Sequence, residues 1–227
     1  MKKMFVFFLL TVLGIQACYT QGFINLNFEN FTRVPSGSLG LGPNAVVASN
    51  AVPGWTVYFN GFSYPDLIYN NRTLDSAMVS IQSTNNTQGL HLMSGGYFIW
   101  MYGSVFPSPT TVGLGQTGQI PAGANSLTFL SSAFSTDQTT VKFNGNILNC
   151  FITETFFAGD VNTPAYYSYA ADISGLAGQT GELLFTSLSN GGIIFDNIQF
   201  ASTPIPEPSA LALAALGTLL LGFRRWK

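Results

Sequence analysis

Short segments in which every second residue is apolar recur along this chain, and they constrain its fold more than any other feature. Gly, Asn, Ser and Thr separate them, and nothing between Gln21 and Ser202 repeats with the period of a helix. About a dozen such segments predict an all-β domain, an antiparallel two-sheet β-sandwich. The expected strands are 23–28, 55–59, 77–81, 89–93, 97–101, 112–119, 126–130, 140–143, 147–153, 166–172, 182–186 and 193–200. Asn144-Gly145 predicts a hairpin turn.

Charged residues make up only 8% of the chain, and they are unevenly distributed. The stretch between Gln21 and Thr203 holds nine carboxylates but only three basic residues, which leaves a net charge of −6. Those basic residues are Arg33, Arg72 and Lys142. No basic patch is available to neutralise a run of phosphates, so nucleic acid is not an expected partner.

The N-terminus has the layout of a secretory signal peptide, assigned to residues 1–20. Two lysines precede an apolar run of about a dozen residues, too short to span a bilayer as a helix. Cleavage is expected after Ala17 or Thr20. An alternative interpretation takes 14–18 as a lipobox with Cys18 lipidated, although Gln16 fits that pattern poorly. Both interpretations predict export.

The C-terminal segment 203–227 combines a proline-rich linker, a short apolar stretch and a basic end. As a helix, 209–223 would be about 22 Å long, shorter than the ~30 Å hydrocarbon core of a bilayer. Arg224, Arg225 and Lys227 would stop its transfer and hold that end in the cytoplasm. A weak single-pass anchor is one alternative. A core helix is another, which the alternate prolines disfavour because they separate the segment from the domain.

Pro206, Glu207 and Pro208, followed by the apolar stretch and the arginine-containing end, resemble the PEP-CTERM sorting signal of bacterial exported proteins. The resemblance implies that an exosortase, a membrane cysteine protease-transpeptidase, removes the tail near this tripeptide. The inner membrane would then hold the precursor transiently, and the mature domain would pass to the cell surface or exopolysaccharide matrix. In this interpretation the three residues are a substrate and not catalysts.

The central domain, 21–202, resembles galactose-binding-like jelly rolls, a fold found in many carbohydrate-binding modules. The matching elements are Asn-Phe-Glu29, Pro53-Gly-Trp55, 89–92, 116–121 with 126–129, and Phe195-Asp-Asn-Ile198. The resemblance implies a jelly-roll-like sandwich between an N-terminal signal helix and a short C-terminal hydrophobic helix. It does not identify a ligand.

Asp196 is the first candidate for chemistry, because it shares the parity of Ile194, Ile198 and Phe200 in its predicted strand. A carboxylate on a core-facing side must be paired or bind a metal. In similar jelly rolls, a Glu on the first strand and an Asp on the last share a structural Ca²⁺, which implies a site at Glu29 and Asp196. The alternative is that Asp196 only accepts hydrogen bonds while Glu29 is solvated.

Aromatic residues offer surfaces for sugar stacking, although core packing is the expected role of both tryptophans considered. The candidates are Trp55, Tyr58, Tyr97, Trp100 and Tyr102. No glycan-binding cluster can be selected from the sequence alone.

Catalysis has little support in the sequence. His91 is the single histidine, Cys150 lies in an apolar run typical of a buried thiol, and neither a nucleophile elbow nor a phosphate loop is present. Nine carboxylates leave a glycan-active enzyme as a third possibility. The leading hypothesis is a non-enzymatic structural or adhesive protein of the cell surface or matrix, and the alternative is a carbohydrate-binding module.

Overall fold

The computed structural model describes residues 22–37, 42–71, 77–86, 93–104, 109–132, 139–157, 164–188 and 192–205. Several predictions therefore fall on residues outside the described ranges. They are the signal peptide with Cys18, Arg72, residues 89–92 of the predicted strand 89–93 with His91, the tripeptide Pro206, Glu207 and Pro208, the apolar stretch 209–223, and Arg224, Arg225 and Lys227. Within the described ranges, no helix is long and apolar enough to span a membrane.

Fourteen strands make up most of the described chain, together with a four-residue helix, α1 (Ala48–Ala51), and a 3-10 turn, Ser174–Leu176. The strands are β1 (Ala45–Val47), β2 (Thr56–Phe59), β3 (Phe62–Tyr64), β4 (Asp66–Tyr69), β5 (Met78–Ser83), β6 (Tyr97–Tyr102), β7 (Val112–Gln119), β8 (Ser126–Ser131), β9 (Thr139–Phe143), β10 (Asn146–Ile147), β11 (Cys150–Phe157), β12 (Pro164–Asp172), β13 (Thr180–Ser187) and β14 (Gly192–Ala201).

The strands form two packed sheets, so the predicted all-β sandwich is confirmed. One sheet has eight strands in the order β1-β4-β5-β6-β14-β8-β12-β11, and the other has six in the order β10-β9-β13-β7-β2-β3. Neighbouring strands are antiparallel, except that β4 and β5 run parallel.

Aromatic rings from both sheets meet in the core. Phe185 on β13 stacks on Phe195 on β14 with their ring centroids 4.5 Å apart, and Phe129 on β8 meets Phe185 edge-on at 5.3 Å. Each of these rings is almost fully buried. Burial of one such side chain contributes roughly 2–3 kcal/mol, so this cluster holds the two sheets together.

The N-terminal segment differs from its prediction. Residues 23–28 form no strand, and Ile24, expected on the buried face, is 39% exposed. The side chain of Gln116 binds the segment, accepting from Ile24 N–H at 2.6 Å and donating to Ile24 C=O at 2.9 Å. Phe28 is fully buried against Trp55 and Phe195. A side-chain amide therefore replaces the strand pairing that the alternation suggested.

Most other predicted strands are confirmed within one or two residues at each end, and 112–119 coincides with β7. The predicted strand 147–153 is divided, since β10 ends at Ile147 and β11 begins at Cys150. Strands β1, β3 and β4 were not predicted. The Asn144-Gly145 turn is confirmed between β9 and β10, and both residues have positive φ, as a two-residue hairpin turn requires.

Candidate functional site

A groove crosses the outer face of the six-stranded sheet, and two glycines of β7 form its floor. Gly113 and Gly115 alternate with the core residues Val112 and Leu114, so their positions face away from the core. Gly113 lines the groove, and Gly115 lies beneath the side chains that close one end of it. In register with them, Tyr58 on β2 lies opposite Gly113, and Leu184 on β13 lies opposite Gly115. Because β7 has no side chains here, the side chains of the neighbouring strands β2 and β13 project beyond it and form the walls of the groove.

Tyr58 and Glu182 close one side of this floor. A Cβ atom added at Gly115 would lie 2.7 Å from Glu182 Oε1 and 3.0 Å from Tyr58 Cε2, so both side chains lie directly over this glycine. The Tyr58 hydroxyl donates a 2.7 Å hydrogen bond to Glu182 Oε1. Burial, with this bond and the negative charge of Glu182, raises the pKa of Tyr58 to about 12. The phenol is therefore protonated at neutral pH, where it acts as a donor and not as a nucleophile.

Lys142 and a pair of threonines form the opposite side. Lys142 on β9 lies in register with Leu184 on β13, and the hydroxyl groups of Thr140 and Thr186 are 2.6 Å apart in the next row. The groove encloses about 280 Å³. Nine residues line it, and we call them the outer groove: Tyr58, Gly61, Thr111, Val112, Gly113, Lys142, Glu182, Leu184 and Thr186.

Two Asn-Gly turns fix the walls of the outer groove. In the β2–β3 turn, Asn60 donates its N–H to Thr111 C=O at 2.8 Å, and its Oδ1 accepts from Thr111 N–H at 2.8 Å. Asn144, in the β9–β10 turn, makes the same pair of bonds with Glu182, at 2.9 and 3.1 Å. These bonds join each turn to the neighbouring strand and hold the backbone of Thr111 and Glu182 in place.

Sequence reasoning found only part of the outer groove. Tyr58 was among the aromatic candidates, but Glu182 and Lys142 were not selected, because their neighbourhood depends on strand order. The signal available in the sequence was the alternation of Gly113 and Gly115 with apolar residues, since glycine at every second position leaves one face of a strand bare.

The predicted calcium residues, Glu29 and Asp196, both accept hydrogen bonds from one backbone segment, 94–97. Glu29 Oε1 accepts hydrogen bonds from the N–H groups of Gly96 at 2.8 Å and Tyr97 at 3.1 Å. Asp196 Oδ2 accepts from Ser94 N–H at 3.1 Å, and its Oδ1 from Asn197 N–H at 2.6 Å. We call Glu29 and Asp196 the carboxylate pair.

The environment of Asp196 differs in part from its prediction. The side chain is 0% exposed, so its predicted burial is confirmed, but the predicted facing is wrong. Ile193, Phe195 and Ile198 face the core, with a bulge after Asp196 at Asn197, where φ is 49°. Asp196 is therefore buried on the opposite face of the sheet. Burial raises the pKa of its carboxyl to about 7, the charge of Glu29 adds to that shift, and the two N–H donors oppose it.

The chemistry of the carboxylate pair fits a hard dication such as calcium. Glu29 lies close enough to raise the pKa of Asp196, and carboxylate oxygens are ligands that Ca²⁺ accepts. In the described ranges, however, no three His, Cys, Asp or Glu side chains come together as a metal-binding group. Glu29 and Asp196 would therefore be the side-chain ligands of an ion here. Glu29 lies outside any strand, not on a first strand as predicted.

The remaining sequence candidates lie outside the outer groove, and Tyr97 contacts the carboxylate pair through its backbone N–H, which donates to Glu29. Trp55 is buried in the core as predicted, whereas Trp100 lies half-buried beside Tyr102 on the outer face of the eight-stranded sheet, so its predicted core position is wrong. Tyr97 packs on Phe31 with a centroid distance of 4.8 Å. Burial raises the pKa of the Cys150 thiol to about 12, which makes it a poor nucleophile.

No protein-family model matches this chain, and no curated protein matches its sequence. Three solved structures are remotely similar to it. They are the enzymatically active domain of tailspike protein 4 of bacteriophage CBA120 (TM-score 0.35, 13% identity, 66% of this chain and 19% of that chain), the K2 cleaved adhesin domain of Lys-gingipain (0.39, 14%, 81% and 97%), and a family 11 carbohydrate-binding module of Clostridium thermocellum in complex with a β-1,3-1,4-mixed-linked tetrasaccharide (0.34, 11%, 67% and 91%). The chain thus spans about a fifth of the tailspike domain.

Proposed function

We propose that this chain is an exported, non-catalytic β-sandwich that binds a neutral polysaccharide through the outer groove. The observation that carries the proposal is the glycine floor over which Tyr58 and Glu182 meet, with Lys142 on the far wall. An aromatic ring beside a few fixed polar groups is a typical arrangement for recognising a sugar.

The charges of the outer groove favour a neutral ligand. Lys142 and Glu182 contribute one positive and one negative charge, so the groove attracts neither polyanions nor polycations strongly. The groove extends from β9 across β13 and β7 to β2, which is three strand spacings or roughly 14 Å. That length suits several sugar units of a chain better than a single sugar.

Binding, not hydrolysis, is the proposed activity because glycoside hydrolysis ordinarily uses two carboxylates, and the nine lining residues include one, Glu182. Glu182 accepts the hydrogen bond from Tyr58, so the pair offers fixed hydrogen-bonding groups to a ligand. A structural role without glycan binding, and a glycan-active enzyme, remain as alternative outcomes of the test.

The test measures binding of the purified protein to mixed-linkage β-glucan, xylan, dextran and alginate by affinity electrophoresis and calorimetry. We expect binding to at least one neutral polymer and little to alginate. Gly113→Val fills the floor and Tyr58→Ala removes a wall, and each should weaken affinity at least tenfold. Thr117→Val is the matched control, because Thr117 lies exposed on the same face of β7 outside the groove.

Thermal unfolding of each variant separates loss of binding from loss of fold. Binding that all three variants retain would exclude the outer groove as the site. Absence of binding to every polymer would favour a purely structural component. Release of reducing ends from a bound polymer would instead favour an enzyme.

We also propose that the chain is delivered to the surface or matrix by exosortase processing of 203–227 after removal of 1–20. This proposal rests on the sorting signal at Pro206, Glu207 and Pro208 and its resemblance to the PEP-CTERM family. Mass spectrometry of the mature protein from its native host tests it. A mature chain that still carries Trp226 and Lys227 would contradict the proposed cleavage.

Calcium at the carboxylate pair is proposed as structural support and not as part of glycan recognition. Glu29 and Asp196 both bind the segment that leads into β6, so an ion there would stabilise the junction of this segment with β14.

A further inference from the structure

The first and the last residues of the β-sandwich domain lie next to each other. Gly22 forms a bridge with Gln119, the last residue of β7, and the ring of Phe23 stacks on Phe200 of β14 with centroids 5.1 Å apart. Ala201, the last residue of β14, pairs with Ser126 at the start of β8. The chain therefore enters and leaves the sandwich at the same end.

The exit is fixed as far as Thr203. Asn125 Nδ2 donates to Ser202 C=O at 2.6 Å, and Ser126 Oγ donates to Thr203 C=O at 2.9 Å. Whatever follows Thr203 must leave from the β7–β8 connection, which includes the exposed turn at Ala122. We call this region the attachment end.

The outer groove lies towards the opposite end of the six-stranded sheet. Gln119 pairs with Thr180 at the attachment end, whereas Gly113 pairs with Thr186 six residues further along both strands. Six residues of strand extend roughly 20 Å. Gly61 and Thr111, which also line the groove, lie at the start of β3 and β7 on that distant side.

We infer that a protein held by its C-terminus presents the outer groove away from the surface that holds it, so the groove binds polysaccharide of the surrounding matrix or of another cell. This inference rests on the proposed function of the groove. It adds the geometry of attachment. The tail leaves the sandwich at the β7–β8 connection, where β7 ends, whereas the groove lies towards the start of β7.

The experiment attaches the full chain, kept in detergent, to a sensor surface through a short biotin linker at one of two positions. Ala122→Cys places the linker at the attachment end, and Leu188→Cys places it directly after β13, where Ser187 pairs with Val112 at the far end. Both side chains are exposed, and neither lines the groove. Cys18 and Cys150 are replaced by serine, so that each variant carries one thiol.

The analyte is the neutral polymer that binds best in solution in the panel described above. We expect the Ala122-attached protein to bind it with an affinity within about twofold of the solution value. The binding capacity of the Leu188-attached protein should be at least fivefold lower than that of the Ala122-attached protein, because the sensor surface covers the groove. Both labelled variants are also measured free in solution, where they should bind equally.

The possible failures are distinguishable. Solution binding together with equal capture from both attachment points would overturn the inference and leave the proposed function intact. Stronger capture from Leu188 than from Ala122 would also overturn it. Absence of binding in solution would remove the proposed function and this inference with it.

Discussion

Tyr58 and Glu182 are 124 residues apart in the chain, yet their side chains share a 2.7 Å hydrogen bond across a strand that lies between them. The bond is possible because β7 has glycine where the two side chains cross. A residue with a Cβ atom at Gly115 would separate them. The shape of the outer groove therefore depends on the absence of a side chain at Gly115 as much as on the side chains of Tyr58 and Glu182.

Removing the negative charge of Glu182 should lower the pKa of Tyr58. Burial is the largest cause of the raised value, followed by the bond to Glu182 and its charge. In Glu182→Gln we therefore expect a pKa below about 12 but still above the ordinary value of 10.0. NMR titration with ¹³C-labelled tyrosine measures it, and Tyr58→Phe assigns the resonance. An unchanged pKa would show that burial alone causes the shift.

Stability in metal-free buffer should fall as Asp196 ionises. Its pKa is about 7 in the folded protein against an ordinary 3.8, so the folded state binds the proton more tightly. The contribution of this group is fully present below about pH 4 and is lost as pH rises to about 7, at most about 4 kcal/mol. Asp196→Asn should remove this decline in urea unfolding with EDTA present.

The control for that experiment is Asp172→Asn. The pKa of Asp172 is lowered by hydrogen bonds from Ser174, so its contribution has the opposite sign and is lost as pH falls. The variant should keep the decline towards neutral pH. The same decline in Asp196→Asn would assign it to another group.

Calcium should reverse this pH effect if it binds the carboxylate pair. An ion that binds only the folded state raises the free energy of unfolding by about 2.7 kcal/mol at about a hundredfold excess over its Kd. We expect a higher unfolding temperature in calcium than in EDTA, and no difference in Asp196→Asn or Glu29→Gln. An equal rise in both variants would place the ion elsewhere.

Gly95→Ala should destabilise the protein more than Gly37→Ala. Both glycines have positive φ, 61° and 70°, so each substitution carries a backbone cost of roughly 1 kcal/mol. Only at Gly95 does the new Cβ collide with the carboxylate of Glu29, while nothing lies within 4 Å at Gly37. Displacing Glu29 from the N–H groups of Gly96 and Tyr97 should add roughly 1–2 kcal/mol. Urea unfolding measures both, and equal losses would contradict the contact.

Truncation should separate the folded sandwich from its tail. A chain that ends at Ile205 keeps the bonds from Asn125 and Ser126 to Ser202 and Thr203, so its stability should match that of the longer chain. A chain that ends at Phe200 loses them and should be roughly 2–3 kcal/mol less stable. Denaturant unfolding of the two proteins checks this. A large loss on removing the residues after Ile205 would mean that the tail packs on the sandwich.

Alternation of apolar residues was sufficient to predict the long central strands, because each has one face in the core. It failed for 23–28, where an alternating sequence is bound by the Gln116 amide and not by a strand. It also failed for Asp196, because the bulge at Asn197 exchanges the two faces partway along β14. Predicting the buried face from every second residue assumes continuous strand pairing. Both errors occur where that pairing is interrupted.

The outer groove was harder to predict than the fold. Lys142, Glu182 and Tyr58 are adjacent only because β9, β13, β7 and β2 are neighbours, although they are not consecutive in the chain. The carboxylate pair could be suggested because a resemblance named both residues. The hydrogen bonds that Asp196 and Glu29 accept from the N–H groups of Ser94 and Gly96 could not be predicted from the sequence, because they depend on how distant segments pack.

The docking of the N-terminal segment also sets the order in which the chain can finish folding. Phe28 packs on Phe195, and Ile198 N–H donates to Leu26 C=O, so the first residues of the sandwich are not covered until its last strand, β14, is in place. Until then the Phe28 ring stays exposed and the sandwich is open along one edge. Contacts between residues so far apart in the chain form slowly, and the exposed ring favours association between incompletely folded copies, so the refolding yield should fall as the protein concentration rises.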